Sequence, residues 1–310
     1  MTTINRRRFL YTSATASAAA VALSANPMTA LHLEDETQDR DQELKPFKRD
    51  WRLRYAPRLD WGPGSLIERV ERIASYGFTA VEFNGLGRRK MSEIEALKKR
   101  MDQLKMQMGI FVANWKGRPA HKDDKDLWLQ SLKHTIEVHK VIGNNFCTVL
   151  AGNVQKGMSH EAQTQLCIDN LKAGAELMEG TDLTLVVEPL NPLDHGGYFV
   201  VLSPHANHIM KKVGSKHVKI LFDIYHQQIS EGNLINNIRK YWDEIAYFQV
   251  GDVPGRKEPL TGEINYRSVF KAIHARGYKG MLGMEHGLSG KRDATGIHKC
   301  FKAYEWCDSW

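Results

Sequence analysis

The sequence predicts an α/β domain built as a (β/α)8 barrel, and three observations carry the prediction. From Trp51 onward short apolar runs alternate with longer amphipathic ones. Eight such pairs fill about 260 residues, close to the usual length of this fold. No glycine-rich phosphate turn follows an early strand: "NGLGRRK", after the second, is a poor match to G-x-G-x-x-G, which argues against a doubly wound sheet.

Taken in order, "RLRYA" reads as the first strand and Ser65 to Tyr76 as its helix, with Leu66, Ile67, Val70, Ile73 and Ala74 on one face. "TAVEF" is followed by a helix from Met91 to Lys105, and "MGIFVAN" by one from Lys125 to Val141. The rhythm continues with "NFCTVLAG" before Glu161 to Met178, "LTLVVE" before Pro204 to Val213, and "VKILFD" before Leu234 to Trp242. "IAYFQV" with Tyr266 to Arg276, and "KGMLGME" with a last helix through Phe301, complete the eight units.

The 310 residues are 42% hydrophobic and 25% charged, ordinary values for a soluble globular protein. The formal charge of +7 is not a nucleic-acid signature, because the basic residues are scattered and three of them fall in the first eight positions. Residues 1–30 combine that basic start with an Ala-rich apolar run and small residues near Ala25 to Ala30, the pattern of a cleavable signal. Arg6 and Arg7 before Phe9 and Leu10 resemble a twin-arginine signal, so the mature chain is expected outside the cytoplasm, periplasmic or extracellular. Residues 31–50 are charged and lack apolar periodicity, which marks a linker, and the barrel is assigned to residues 51–310. No later segment approaches the ~20 apolar residues of a membrane span. Cys300 and Cys307 sit seven residues apart in a helical segment, ~10 Å of rise, and Cys147 and Cys167 read as small buried residues, so no disulfide is expected.

In such a barrel the active site gathers at the carboxyl ends of the strands. The fifth strand, "LTLVVE", ends on Glu188, an ill fit to an apolar core unless it faces a pocket. The sixth ends at Asp223, the seventh at Gln249 and the eighth at Glu285. Any one of these could merely cap a loop, but four consecutive strands deliver an oxygen donor to one rim. Three converging carboxylates repel unless a cation holds them, and an all-oxygen set suits Mg²⁺ or Mn²⁺ better than Zn²⁺. His226, three residues after Asp223, is expected in a loop that can swing over the metal to a substrate oxygen, and Arg256 projects from the loop "VPGRKEPLTGEINY". Such an arginine can grip a carboxylate with two parallel hydrogen bonds. Asn84, Asn114, Trp115 and Asn153 follow strands two to four at the same rim, and "NPLDHGGYF" is a glycine-hinged loop with Gly196 as a lid hinge.

The motifs "VVEPLN", "DIYHQQ", "VPGRKEP" and "TGEINY", with the eighth-strand glutamate, resemble the hydroxypyruvate isomerase family, within the sugar isomerase and epimerase barrels related in fold to xylose isomerase. The resemblance runs from about Trp51 to the end. It implies a divalent metal on Glu188, Asp223, Gln249 and Glu285, proton transfer by Glu188 and Glu285, and substrate binding by His226, Arg256 and Asn191. The implied reaction is an aldose–ketose isomerisation through a cis-enediolate, hydroxypyruvate to tartronate semialdehyde or a related hydroxy-oxo acid or sugar. Alternatives from the same barrels are a keto-sugar 3-epimerase, an inosose-type dehydratase, an abasic-site endonuclease and a non-catalytic sugar-binding barrel. A homo-oligomer is a further expectation from the resemblance. Two places depart from the family pattern: Leu260 stands where glycine is usual, and "HGLSG" follows Glu285 where an aromatic residue and a proline are common. Both are expected to border the pocket, which opens the substrate to a larger sugar or sugar acid.

Overall fold

A computed structural model describes residues 46–310 apart from Lys48, so the signal and all but the end of the linker lie outside the described residues. Eight strands alternate with helices: β1 Arg54–Ala56, β2 Ala80–Val81, β3 Gln107–Met108, β4 Phe146–Val149, β5 Thr184–Val187, β6 Val218–Asp223, β7 Ile245–Gln249 and β8 Met281–Gly283. The helices are α1 Leu66–Ser75, α2 Met91–Gln103, α3 Lys125–Ile142, α4 His160–Met178, α5 Ser203–Val213, α6 Ile224–Ser230, α7 Leu234–Lys240, α8 Tyr266–Ala275 and α9 Ala294–Cys307. All strand pairs are parallel, in the order β1, β8, β7, β6, β5, β4, with β2 paired to β3. Parallel bridges from Arg58 to Glu82 and from Val112 to Thr148 close the two gaps, so the ring is complete.

Local chemistry sets the element ends. Ser65 caps α1, accepting from Glu68 N–H while the Glu68 carboxylate accepts from Ser65 N–H, a reciprocal capping box. Gly143 and Gly214 end α3 and α5 at φ of 72° and 67°, a left-handed turn that glycine enters without strain. Among the boundaries that differ from the sequence reading, two bear on the site and the core. His226 lies in helix α6, not in a loop, because Asp223 caps that helix by accepting from Tyr225 N–H at 2.9 Å. The last helix runs past Phe301 to Cys307, burying Tyr304 and Cys307 against the barrel. All four cysteines are free and buried. Among the described residues no helix is long and apolar enough to cross a membrane.

The apolar side chains form two separate clusters, and the division follows the strand alternation. Ala56, Ala80, Ile110, Val186, Leu221, Tyr247 and Met281 make a small cluster inside the barrel. Their neighbours Val81, Val187, Phe222, Phe248 and Leu282 belong to the large cluster between strands and helices. The barrel interior therefore has a floor at residues 80, 186, 221, 247 and 281. Two residues further along each of these strands, on the same inward face, stand Glu82, Glu188, Asp223, Gln249 and Gly283.

Candidate active site

That second interior layer is the candidate site. Glu82, Asp223 and Gln249 are fully buried and Glu188 nearly so. The ladder register sets Asp223 beside Gln249 and Gln249 beside Gly283. Glu285 lies two residues beyond Gly283, one layer nearer the mouth, where Asn84 Nδ2 donates to its Oε1 at 2.6 Å.

Arg256 reaches into this group. Its Nη2 lies 2.7 Å from Asp223 Oδ2 and 3.6 Å from Glu285 Oε2, and its Nε donates to the Glu285 carbonyl at 3.0 Å. Its backbone holds a left-handed φ of 51°, and the guanidinium lies over the Tyr225 ring. The sequence reading left this arginine free to grip substrate; the structure engages one edge of it with the protein's own carboxylate. Burial works against its charge, but Asp223, Glu285 and Glu188 hold its pKa above the ordinary arginine value.

His226 is buried with Nε2 at 3.6 Å from Asp223 Oδ2 and 3.7 Å from Glu188 Oε1. One atom from each of these three residues lies within 4.8 Å of the others, a grouping that could hold a metal ion. The hydrogen bonds behind the ring decide what His226 can do. Its Nδ1 faces the Asn191 backbone N–H at 3.2 Å and the Asn191 Nδ2 at 2.7 Å. The amide orientation is fixed because Asn191 Oδ1 accepts from Leu193 N–H and Asp194 N–H while Nδ2 also donates to Asp194. Nδ1 is therefore the acceptor, and in the neutral ring the proton sits on Nε2, aimed at the carboxylates. A nitrogen bearing a proton does not ligate a metal. Burial, then Arg256, pushes the His226 pKa down to about 3, so the ring is neutral. Asn191 itself is fully buried, with its side-chain amide bonded to His226, Leu193 and Asp194.

Burial, then Glu285 and Asp223, drives the Glu188 pKa well above the carboxylate range. Asp223 is raised by burial and held back by Arg256. Gln249 Oε1 and His226 Nε2 are buried without a hydrogen-bond partner among the described residues. Two buried carboxylates beside an unused amide oxygen are a donor set that a hard divalent cation fits.

The sequence reading takes Asn84 from the end of strand two but not Glu82, although "TAVEF" carries Glu82 with the same inward spacing as Glu188. Glu82 is raised well above its ordinary pKa by burial and then by Glu285. Of the other rim residues, Asn84 reaches the site through Glu285, whereas Asn114 is spent on Gly117 and Leu150 carbonyls. Trp115 is half-exposed beneath Arg88, and Asn153 is exposed in a bridge to Tyr198. In the loop after β5 the left-handed glycine is Gly197, at φ 77°, and not Gly196. Tyr198 pins that loop, its hydroxyl donating to Glu188 O and accepting from Ala151 N–H. Of the two departures from the family pattern, Leu260 is exposed with φ 74°, the conformation glycine would take freely. His286 does not border the pocket: its ring stacks on Tyr304, bonds the Tyr304 hydroxyl at 2.9 Å and packs against Trp61.

Comparison with known proteins agrees with this architecture. The profile of the xylose isomerase-like TIM barrel matches residues 70–299. The hydroxypyruvate isomerase of Escherichia coli (strain K12) is 30% identical over 243 residues, 76% of this chain and 93% of that protein. The 2-oxo-tetronate isomerase of Cupriavidus necator is 28% identical over 242 residues, 75% of this chain and 92% of its own length. Among solved structures, AP endonuclease, family 2, from Brucella melitensis superimposes with a TM-score of 0.73 at 25% identity, covering 81% of this chain and 98% of that one. The chain thus belongs to the hydroxypyruvate isomerase family of xylose isomerase-like TIM barrels, and it is an isomerase.

Proposed function

We propose that the chain is a divalent-metal-dependent isomerase that exchanges carbonyl and hydroxyl between adjacent carbons of a small hydroxy-oxo acid, of the hydroxypyruvate or 2-oxo-tetronate kind. The observation that carries this reading is the interior layer of Glu188, Asp223 and Gln249, with Glu285 one layer above and Arg256 reaching between them. Glu188, Asp223, Gln249 and Glu285 would hold Mg²⁺ or Mn²⁺. When bound, such an ion supplies Lewis-acid polarisation of the substrate carbonyl and hydroxyl oxygens.

The chain's own groups account for the proton movements. One of Glu188 and Glu285 takes the proton from the carbon bearing the hydroxyl, leaving an enediolate. A glutamate returns a proton to the neighbouring carbon, the former carbonyl carbon. The hydroxyl proton passes to the other oxygen, so atoms and electrons balance and the formula is unchanged. For hydroxypyruvate the proton leaves C3 and arrives at C2, giving tartronate semialdehyde. His226 Nε2–H is a donor aimed at this region, suited to an oxygen on which negative charge develops. Arg256 Nη1, which makes no hydrogen bond to a described residue, is the free edge for a substrate carboxylate, with Nη2 and Nε spent on Asp223 and Glu285.

The barrel of residues 51–310 serves here as the catalytic unit. The Arg6–Arg7 pattern supports export before use, so that substrate is met outside the cytoplasm. Proton NMR of substrates incubated in D₂O with Mn²⁺-loaded and then chelated protein tests the reading. Deuterium entering beside the carbonyl, with an aldehyde product, and lost in E188Q or E285Q, is the expected result. Unchanged exchange in either variant would overturn the assigned roles. Exchange that yields only the epimer, or loss of water, would reassign the chain to epimerase or dehydratase chemistry.

A further inference from the structure

One member of the interior layer has no part in the reaction above. Glu82 enters from β2, fully buried, and faces Gln249 and Tyr247 from across the barrel. The space it fills is left by Gly283, the layer position on β8: a Cβ there would overlap Glu82 Oε2. One strand thus gives up its interior side chain so that another can lay a carboxyl group against Gln249.

The hydrogen bonds at that group assign its role. Glu82 Oε2 lies 3.2 Å from Gln249 Nε2 and 3.4 Å from the Tyr247 hydroxyl. An unprotonated Oε2 can only accept, so its partners here are the Tyr247 O–H and the amide nitrogen of Gln249. The amide oxygen is left pointing elsewhere, and it is buried without a partner among the described residues. Glutamine alone does not choose between presenting oxygen or nitrogen, since the two ends have the same shape. Only the oxygen can ligate a cation.

We propose that Glu82 is a positioning residue that locks the Gln249 amide with its oxygen towards Glu188 and Asp223. This rests on the metal site proposed above and deepens it: the donor from β7 owes its orientation to a carboxyl group that follows β2. Residues that orient metal ligands typically change affinity 10–100-fold when removed.

The test is Mn²⁺ titration of the whole protein by calorimetry, with the electron paramagnetic resonance of free Mn²⁺ as a second readout. E82M keeps the length without the acceptor and should weaken Mn²⁺ about 10–100-fold. E82Q still offers an oxygen to Gln249 and Tyr247 and should bind within a few-fold of wild type, a rescue that a merely space-filling role does not predict. E82D, which draws the acceptor back by one methylene, is the second variant should E82M not fold, and it should also lose affinity. In a Q249A background E82M should add little, because there is no amide left to orient. Wild-type affinity in both E82M and E82D, or an equal loss in E82M with and without Gln249, would overturn the role of Glu82 while leaving the metal site standing. Wild-type protein that bound no Mn²⁺ would overturn both.

Discussion

Replacing Arg256 with methionine tests the electrostatic core of the site directly. Nη2 stands 2.7 Å from Asp223 Oδ2 and 3.6 Å from Glu285 Oε2. At an effective dielectric of about 20 those separations correspond to about 6 and about 5 kcal/mol of gross attraction. Much of that is offset by taking the charges out of water, and truncating one partner of a buried pair measures about 3–5 kcal/mol. The arginine side chain is 27% exposed, so some screening survives and about 2–3 kcal/mol is expected at neutral pH. For a domain of this size that is a fall of about 5–10 °C in melting temperature.

The assay is thermal and urea unfolding of the metal-stripped protein, with R256M and D223N made singly and together. R256M should lose far more stability in the native background than beside D223N, because it leaves a buried carboxylate without its partner only in the former. Mn²⁺ affinity should hold or rise in R256M, since a competing positive charge has gone, while kcat/KM falls by about 100-fold through the lost grip on substrate. Equal melting temperatures for metal-stripped R256M and wild type would show that the Arg256–Asp223 pair does not form in solution, and the charge balance of the site would fail with it.

Glu82, Glu188 and Asp223 all have folded pKa values raised by burial; a carboxyl group raised on folding stabilises fully below its unfolded value of about 4 and loses that contribution as pH climbs through the folded value. Metal-stripped protein should therefore melt higher at about pH 5 than at about pH 8, and saturating Mn²⁺ should flatten or reverse that slope; a flat metal-free profile would mean the three groups are not buried together. N191L removes the side-chain donor to His226 Nδ1 and should lower kcat/KM about tenfold, with the His226 tautomer, read by ¹⁵N NMR, shifting away from Nε2–H; an unchanged tautomer would assign control to the Asn191 backbone N–H alone.

The fold was legible because its signals are local and repeated. Each strand and helix carries its own periodicity, and the boundaries of α1, α5 and β6 lie within a residue of those read from apolar spacing and caps. Helix α6 was missed for a physical reason: Ile224–Ser230 is only seven residues long and buries Ile224, Tyr225, His226 and Gln227 together, so it has no polar face to produce a period. Its N-cap is Asp223, a residue already assigned as a strand end, and one side chain marking two elements hides the second.

The site divides along the same line. Glu188, Asp223 and Gln249 could be read one strand at a time, because inward-facing strand ends in a barrel share one layer whatever their sequence distance. What those ends do was not legible, because it depends on partners from other strands. The proton of neutral His226 falls on Nε2 because Asn191, thirty-five positions away in the chain, faces its Nδ1. Glu82 is absent from a reading that drew its metal donors from the last four strands, and its meaning appears only with Gly283, whose missing side chain makes the room. A glycine in a strand carries no chemistry of its own in a sequence, yet here it is the observation that turns a buried glutamate from an anomaly into a support for Gln249. The strand period locates which residues face inward; the volumes and hydrogen-bond directions of their opposites decide which of them can meet a cation, and those are properties of the closed ring.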